Sequence, residues 1–75
     1  MNEEQLKIEL GTLGTLEQCG EYSDGSYGIS LKINIEDEDT QDAFDVAVNK
    51  YLISDFPIVD IRIMGSGTIK AIYKK

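Results

Sequence analysis

Hydrophobic and polar residues alternate most regularly between Ile29 and Ile35. Ile29, Leu31, Ile33 and Ile35 share one parity, with Ser30, Lys32 and Asn34 between them. Period two is the mark of a strand with one face buried and one wet, and antiparallel sheets covered on one side have this pattern. The period then changes. Phe44, Ala47, Val48, Tyr51 and Leu52 recur at helical spacing, which predicts a helix over about 40–53. Asp39 or Thr40 is the expected cap, and Pro57 disfavours helical geometry at Phe56 and marks the end. Beyond it, Val59, Ile61 and Ile63 alternate with Asp60, Arg62 and Met64. After Gly65-Ser66-Gly67, Ile69, Ala71 and Tyr73 alternate with Thr68, Lys70 and Lys74. A hairpin with a three-residue loop sets Ile63 against Ile69, Ile61 against Ala71 and Val59 against Tyr73, all on the buried face.

The first 28 residues are less regular. Leu6, Ile8 and Leu10 alternate with Lys7 and Glu9 and suggest a strand. The same stretch also fits a helix capped by Asn2, with Leu6 and Leu10 one turn apart; the strand is preferred. Asp24-Gly25 predicts a two-residue hairpin turn flanked by Tyr22 and Tyr27. That turn would place Glu17 opposite Lys32, but also Gln18 opposite the apolar Leu31. The expected fold is α+β in the order ββαββ: one domain, a small antiparallel β-sheet with one helix packed on its apolar face.

Composition narrows the chemistry. The 75 residues contain no His and one Cys. Ser-His-Asp and Cys-His nucleophile systems are therefore excluded, as are the common zinc constellations. Cys19 has no intramolecular disulfide partner, which suits a reducing compartment, and no signal-peptide pattern opens the chain, so a cytoplasmic location is expected. No apolar run is long enough to span a membrane. The expectation is a non-enzymatic protein without a cofactor.

Charge adds a candidate surface. Fourteen Asp or Glu against seven Lys or Arg give a net charge of −7. Residues 1–60 hold every carboxylate and three lysines, whereas residues 61–75 hold Arg62, Lys70, Lys74 and Lys75. The acids are densest over 36–45, EDEDTQDAFD. One reading is helix-dipole complementarity and solubility. The sharper one is a surface for a basic partner. Carboxylates three residues apart on a helix rise by about 4.5 Å, a spacing compatible with the dense phosphate charge of DNA. Glu36, Asp37, Glu38, Asp39, Asp42 and Asp45 would then occupy the nucleic-acid-binding surface of a host protein, with Tyr22, Asp24 and Tyr27 as a second contact. Small acidic phage-borne inhibitors work in this way by analogy.

Other readings are weaker. Asp37, Asp39 and Gln41 match odd positions of an EF-hand loop, but Asp42 replaces the required Gly and Val48 stands at the last ligand position. The basic hairpin has too few cations to hold nucleic acid directly on a chain of this charge; its lysines suit the blocking of a sheet edge. The two edges of so small a sheet allow a homodimer, and the alternative function is a structural protein that self-assembles through them.

Four segments carry a family resemblance: Leu31 to Asp39 (LKINIEDED), Val48-Asn49-Lys50-Tyr51-Leu52, Ile58-Val59-Asp60-Ile61-Arg62 and Ala71-Ile72-Tyr73-Lys74. Residues 29–75 resemble the very small sporulation-associated proteins of endospore-forming bacteria and their phage-borne relatives. That resemblance implies a small cytoplasmic protein of Firmicutes or phage origin, and no reaction.

Overall fold

A computed structural model describes residues 1–33 and 38–75. The elements run α1 (Glu3–Gly11), β1 (Gly14–Glu21), β2 (Tyr27–Ile33), α2 (Glu38–Tyr51), β3 (Ile58–Gly65) and β4 (Thr68–Lys74). The four strands form one antiparallel sheet in the order β1-β2-β4-β3. The α+β class and the antiparallel sheet are as expected. The helix count is not, because a second helix precedes the ββαββ series.

That helix is α1, where the sequence alternation favoured a strand. The Asn2 side chain accepts a hydrogen bond from the Gln5 amide at 3.2 Å and caps it, satisfying one of the donors that a helix start leaves free. Leu6 and Leu10 lie one turn apart and are both fully buried, while Ile8 is 54% exposed. The i,i+4 pair, not the alternation, marks the buried face. Glu9 ties α1 to α2 by accepting from the Tyr51 hydroxyl at 2.9 Å and the Lys50 ammonium at 3.4 Å.

Helix α2 follows its apolar stripe. Phe44, Ala47 and Val48 are buried on it, and Leu52 and Phe56 close the core just beyond. It starts at Glu38, so Asp39 and Thr40 fall inside its first turn and do not cap it. Ile29, Leu31 and Ile33 of β2 and Ile69, Ala71 and Tyr73 of β4 meet this layer from the sheet. The expected strand positions Asn34 and Ile35 lie outside the described residues.

Both hairpins depart from the expected register. In the first, Glu21 pairs with Tyr27, and residues 22–26 form the loop. Asp24 organises it by accepting from the Ser26 amide at 2.9 Å and the Ser26 hydroxyl at 2.6 Å. A bulge at Glu17 then shifts the pairing by one. Leu16 comes to face Leu31 and Cys19 to face Ile29, which removes the poor Gln18–Leu31 pair. Glu17 itself is displaced from Lys32, whose partner is Thr15.

In the second hairpin the loop has two residues, not three. Ser66 and Gly67 both have positive φ, 54° and 71°, and Gly65 pairs with Thr68. Two positive-φ residues make the type I′ turn, whose twist matches that of paired strands. Shortening the loop by one residue turns the adjoining β3 residues over. Ile63 therefore pairs with Lys70 and Ile61 with Ile72, while Arg62 and Met64 take the helix side opposite Ala71 and Ile69. A bulge at Asp60 reverses the parity again, so Val59 does oppose Tyr73, but at the sheet edge it is 53% exposed and not buried as expected. Arg62 is accommodated at this edge because its guanidinium bonds the Asp45 carboxylate and lies 5.7 Å from the centre of the Phe44 ring. The consequence is that Ile61 and Ile63 are 42% and 60% exposed on the face away from the helices.

Candidate interaction surfaces

The fold sorts charge by layer. The two helices carry seven carboxylates and two lysines, whereas the four strands carry three carboxylates and four cations. A chain that is acidic along most of its length becomes a molecule with an acidic helical side and a slightly basic sheet.

On the helical side, Glu38, Asp39 and Asp42 are exposed. None of them forms a salt bridge among the described residues. Residues 38 and 42 stand four apart and 39 and 42 three apart, so they share one stripe of α2. Asp45 continues the stripe, but its carboxylate is turned to Arg62 on β3. Glu36 and Asp37 lie outside the described residues. Among the described residues no group of three or more acidic, Cys or His side chains is arranged to hold a metal ion.

The proposed second contact separates into three environments. Asp24 is at the tip of the first hairpin, where the Ser26 hydroxyl and amide hold its carboxyl below the usual range. Its charge is thereby committed to the turn. Tyr22 is 36% exposed, and its hydroxyl accepts from the Gln18 amide at 2.9 Å. Tyr27 is fully buried, with its ring 5.3 Å from that of Phe56. Tyr27 therefore cannot touch a partner, and it does not pair with Tyr22. Adjacent strand positions point to opposite faces, and with Glu21 as the partner of Tyr27, Tyr22 is left on the other side.

Tyr27 instead contacts Cys19, whose sulfur is 3.2 Å from the tyrosine hydroxyl. Burial pushes the Cys19 thiol above its ordinary value, and less thiolate means a poorer nucleophile. Burial also raises Tyr27 well above a free tyrosine.

The sheet's outer face is the surface that the sequence did not reveal. Helices cover only its inner side. Outward stand Ile61 and Ile63 of β3, Lys70 and Ile72 of β4, Ser30 and Lys32 of β2, and Gln18 of β1. All of these but Lys32 border a shallow open depression of about 300 Å³. Tyr22 forms its far wall, lying so closely on Gly28 that a Cβ there would come within 2.3 Å of the phenol oxygen. The signal was present only in the turn: Ser66-Gly67 suits a two-residue type I′ loop as well as the longer one, and the choice decides which way the isoleucines face.

Both sheet edges are interrupted. β1 bulges at Glu17 and β3 at Asp60, each an acidic residue. Bulges and charges at edges obstruct strand-to-strand association. The exposed apolar surface is thus presented by a face more than by an edge.

No helix among the described residues is long and apolar enough to cross a membrane. Compared with known protein families, curated proteins and solved structures, the chain matches none.

Proposed function

We propose that the protein is a non-enzymatic interaction module whose acidic helical layer docks on a basic surface of a nucleic-acid-binding protein, in competition with nucleic acid. The observation that carries this reading is the sorting of charge by layer, with Glu38, Asp39 and Asp42 exposed on α2 and held by no salt bridge among the described residues. Carboxylates not already committed to an internal pair are available to a partner's cations. In its most specific form the partner is a host defence protein and the chain a phage-encoded inhibitor. Self-assembly through strand edges is the other reading, and the bulges at Glu17 and Asp60 count against it.

The test compares the protein with a variant carrying Glu38→Gln, Asp39→Asn and Asp42→Asn. Asp45 is left intact because it holds Arg62. Both are immobilised and exposed to a cell lysate. The expected result is a basic protein retained by the parent chain, released by moderate salt and by duplex DNA, and absent from the variant. Equal retention on both would refute the charge mechanism.

A further inference from the structure

We propose that the uncovered face of the sheet is a second docking surface, which takes a short peptide segment with carboxylates alternating with apolar side chains. It is distinct from the acidic helical layer and does not depend on that layer's role.

The first argument is where the uncommitted cations stand. Lys7, Lys50, Arg62 and Lys74 are each paired with a carboxylate of the same chain, and Lys75 lies over the Phe56 ring. Lys32 and Lys70 have no ion pair among the described residues. Both point outward from central strands, with Lys70 beside Ser30 and Lys32 beside Thr68. They are therefore diagonal neighbours on one face. In a chain of net charge −7, the two cations with neither an ion pair nor a ring contact among the described residues share the face that no helix covers.

The second argument is what surrounds them. Ile63 neighbours Lys70 across the ladder and Ile61 neighbours Ile72. Ile58, Ile61 and Ile63 are 53%, 42% and 60% exposed. Exposed β-branched residues grouped on a sheet face are a marker of an interaction surface. The depression between these isoleucines and Tyr22 measures about 300 Å³. Lys70, Ser30 and Gln18 are polar residues of its lining. Apolar wall and cationic rim together call for a ligand that is apolar and anionic.

Charge complementarity decides among occupants. A second copy stacked face to face would bring Lys32 and Lys70 toward their own counterparts. The nearby carboxylate Asp60 is already paired with Lys74. Nucleic acid would meet two uncommitted cations on a strongly anionic molecule, with isoleucines where bases need aromatic platforms. An acidic, apolar peptide satisfies both features. Four strands about 4.8 Å apart span roughly 15 Å, which about five residues of extended chain would cross.

The test uses three blocked peptides of about eight residues: alternating Leu and Glu, the same with Gln for Glu, and the same with Lys for Glu. Binding is measured by calorimetry, and the site by amide shifts of the isotope-labelled full chain. The Leu/Glu peptide should bind and shift amides of β3, β4 and β2. Lys70→Glu should weaken it about tenfold, a difference of roughly 1.4 kcal/mol, and transfer preference to the Leu/Lys peptide. The variant Ile63→Thr should also weaken binding while nearly keeping the melting temperature, because that side chain is already 60% exposed. The proposal is overturned by equal affinity for the Leu/Gln and Leu/Glu peptides, by shifts confined to α1 and α2, or by no binding at millimolar peptide. Concentration-dependent shifts of the same face without peptide would overturn it too, in favour of a second copy.

Discussion

The arrangement of α1 can be tested by truncating two residues only two positions apart. Leu6 is fully buried under the helical layer, whereas Ile8 is 54% exposed. Replacing Leu6 by Ala removes its transfer free energy and leaves a cavity, at a cost of about 2–5 kcal/mol. Replacing Ile8 by Ala removes side chain that is mostly in water and also exchanges a β-branched residue for the best helix former. The net change should be within about 0.5 kcal/mol. A domain of this length is stabilised by only about 4–11 kcal/mol, and about 1 kcal/mol moves the melting temperature by roughly 4–8 °C. Leu6→Ala should therefore melt at least about 8 °C lower than the parent, with Ile8→Ala almost unchanged. Urea unfolding followed by circular dichroism should show the same contrast in midpoint at an unaltered slope. If the segment were a strand, Leu6 and Ile8 would share one face and their truncations would cost similar amounts. Equal destabilisation by the two variants would refute the helical packing described for α1.

Two further predictions concern the second hairpin and the core. Ser66→Asn should stabilise the protein by a few tenths to about 1 kcal/mol, because Asn tolerates the left-handed conformation better than Ser and Asn-Gly is a favoured type I′ pair; a lower melting temperature would argue against the two-residue loop. Burial pushes the Tyr73 phenol up to about 12 from the ordinary tyrosine value of 10.0. Its contribution is therefore fully present below pH 10.0 and is lost as pH rises toward about 12, on the order of 2–3 kcal/mol. Denaturation midpoints across that window should fall in step with tyrosinate absorbance, and the fall should be reduced in Tyr73→Phe.

Sequence legibility followed the strength of local periodicity. The alternation of Ile29, Leu31 and Ile33 and the stripe of Phe44, Ala47, Val48, Tyr51 and Leu52 each had one interpretation, and the structure buries these residues, Tyr51 only in part. α1 had two, because Leu6, Ile8 and Leu10 satisfy a strand's alternation while Leu6 and Leu10 alone satisfy a helix. The Asn2 cap breaks the tie. The bulges at Glu17 and Asp60 left no mark in the pattern, since an added residue on one strand is visible only against its partner. Of the acidic stripe, the sequence put Asp42 and Asp45 on an outward face of the helix, and Asp42 is exposed there, whereas Glu38 and Asp39, expected ahead of the helix, lie in its first turn. It missed that Asp45 is engaged by Arg62, because the expected register put Arg62 on the opposite side of the sheet. It also joined Tyr22 and Tyr27 as one contact, although the pairing of Glu21 with Tyr27 sends their rings to different faces.

By itself the sequence determined the parts of the core that β2, α2 and β4 supply, the α+β class and the excess of negative charge, because each depends on which residues are present and on their local spacing. Only the tertiary structure decided what the bare face of the sheet presents. A two-residue turn at Ser66-Gly67 and one bulge at Asp60 reverse the parity of β3 between them. Ile61 and Ile63 thereby turn to water beside Lys70, and Arg62 turns to Asp45. Strand parity depends on the pairing register, and register is a relation between strands that no single segment contains.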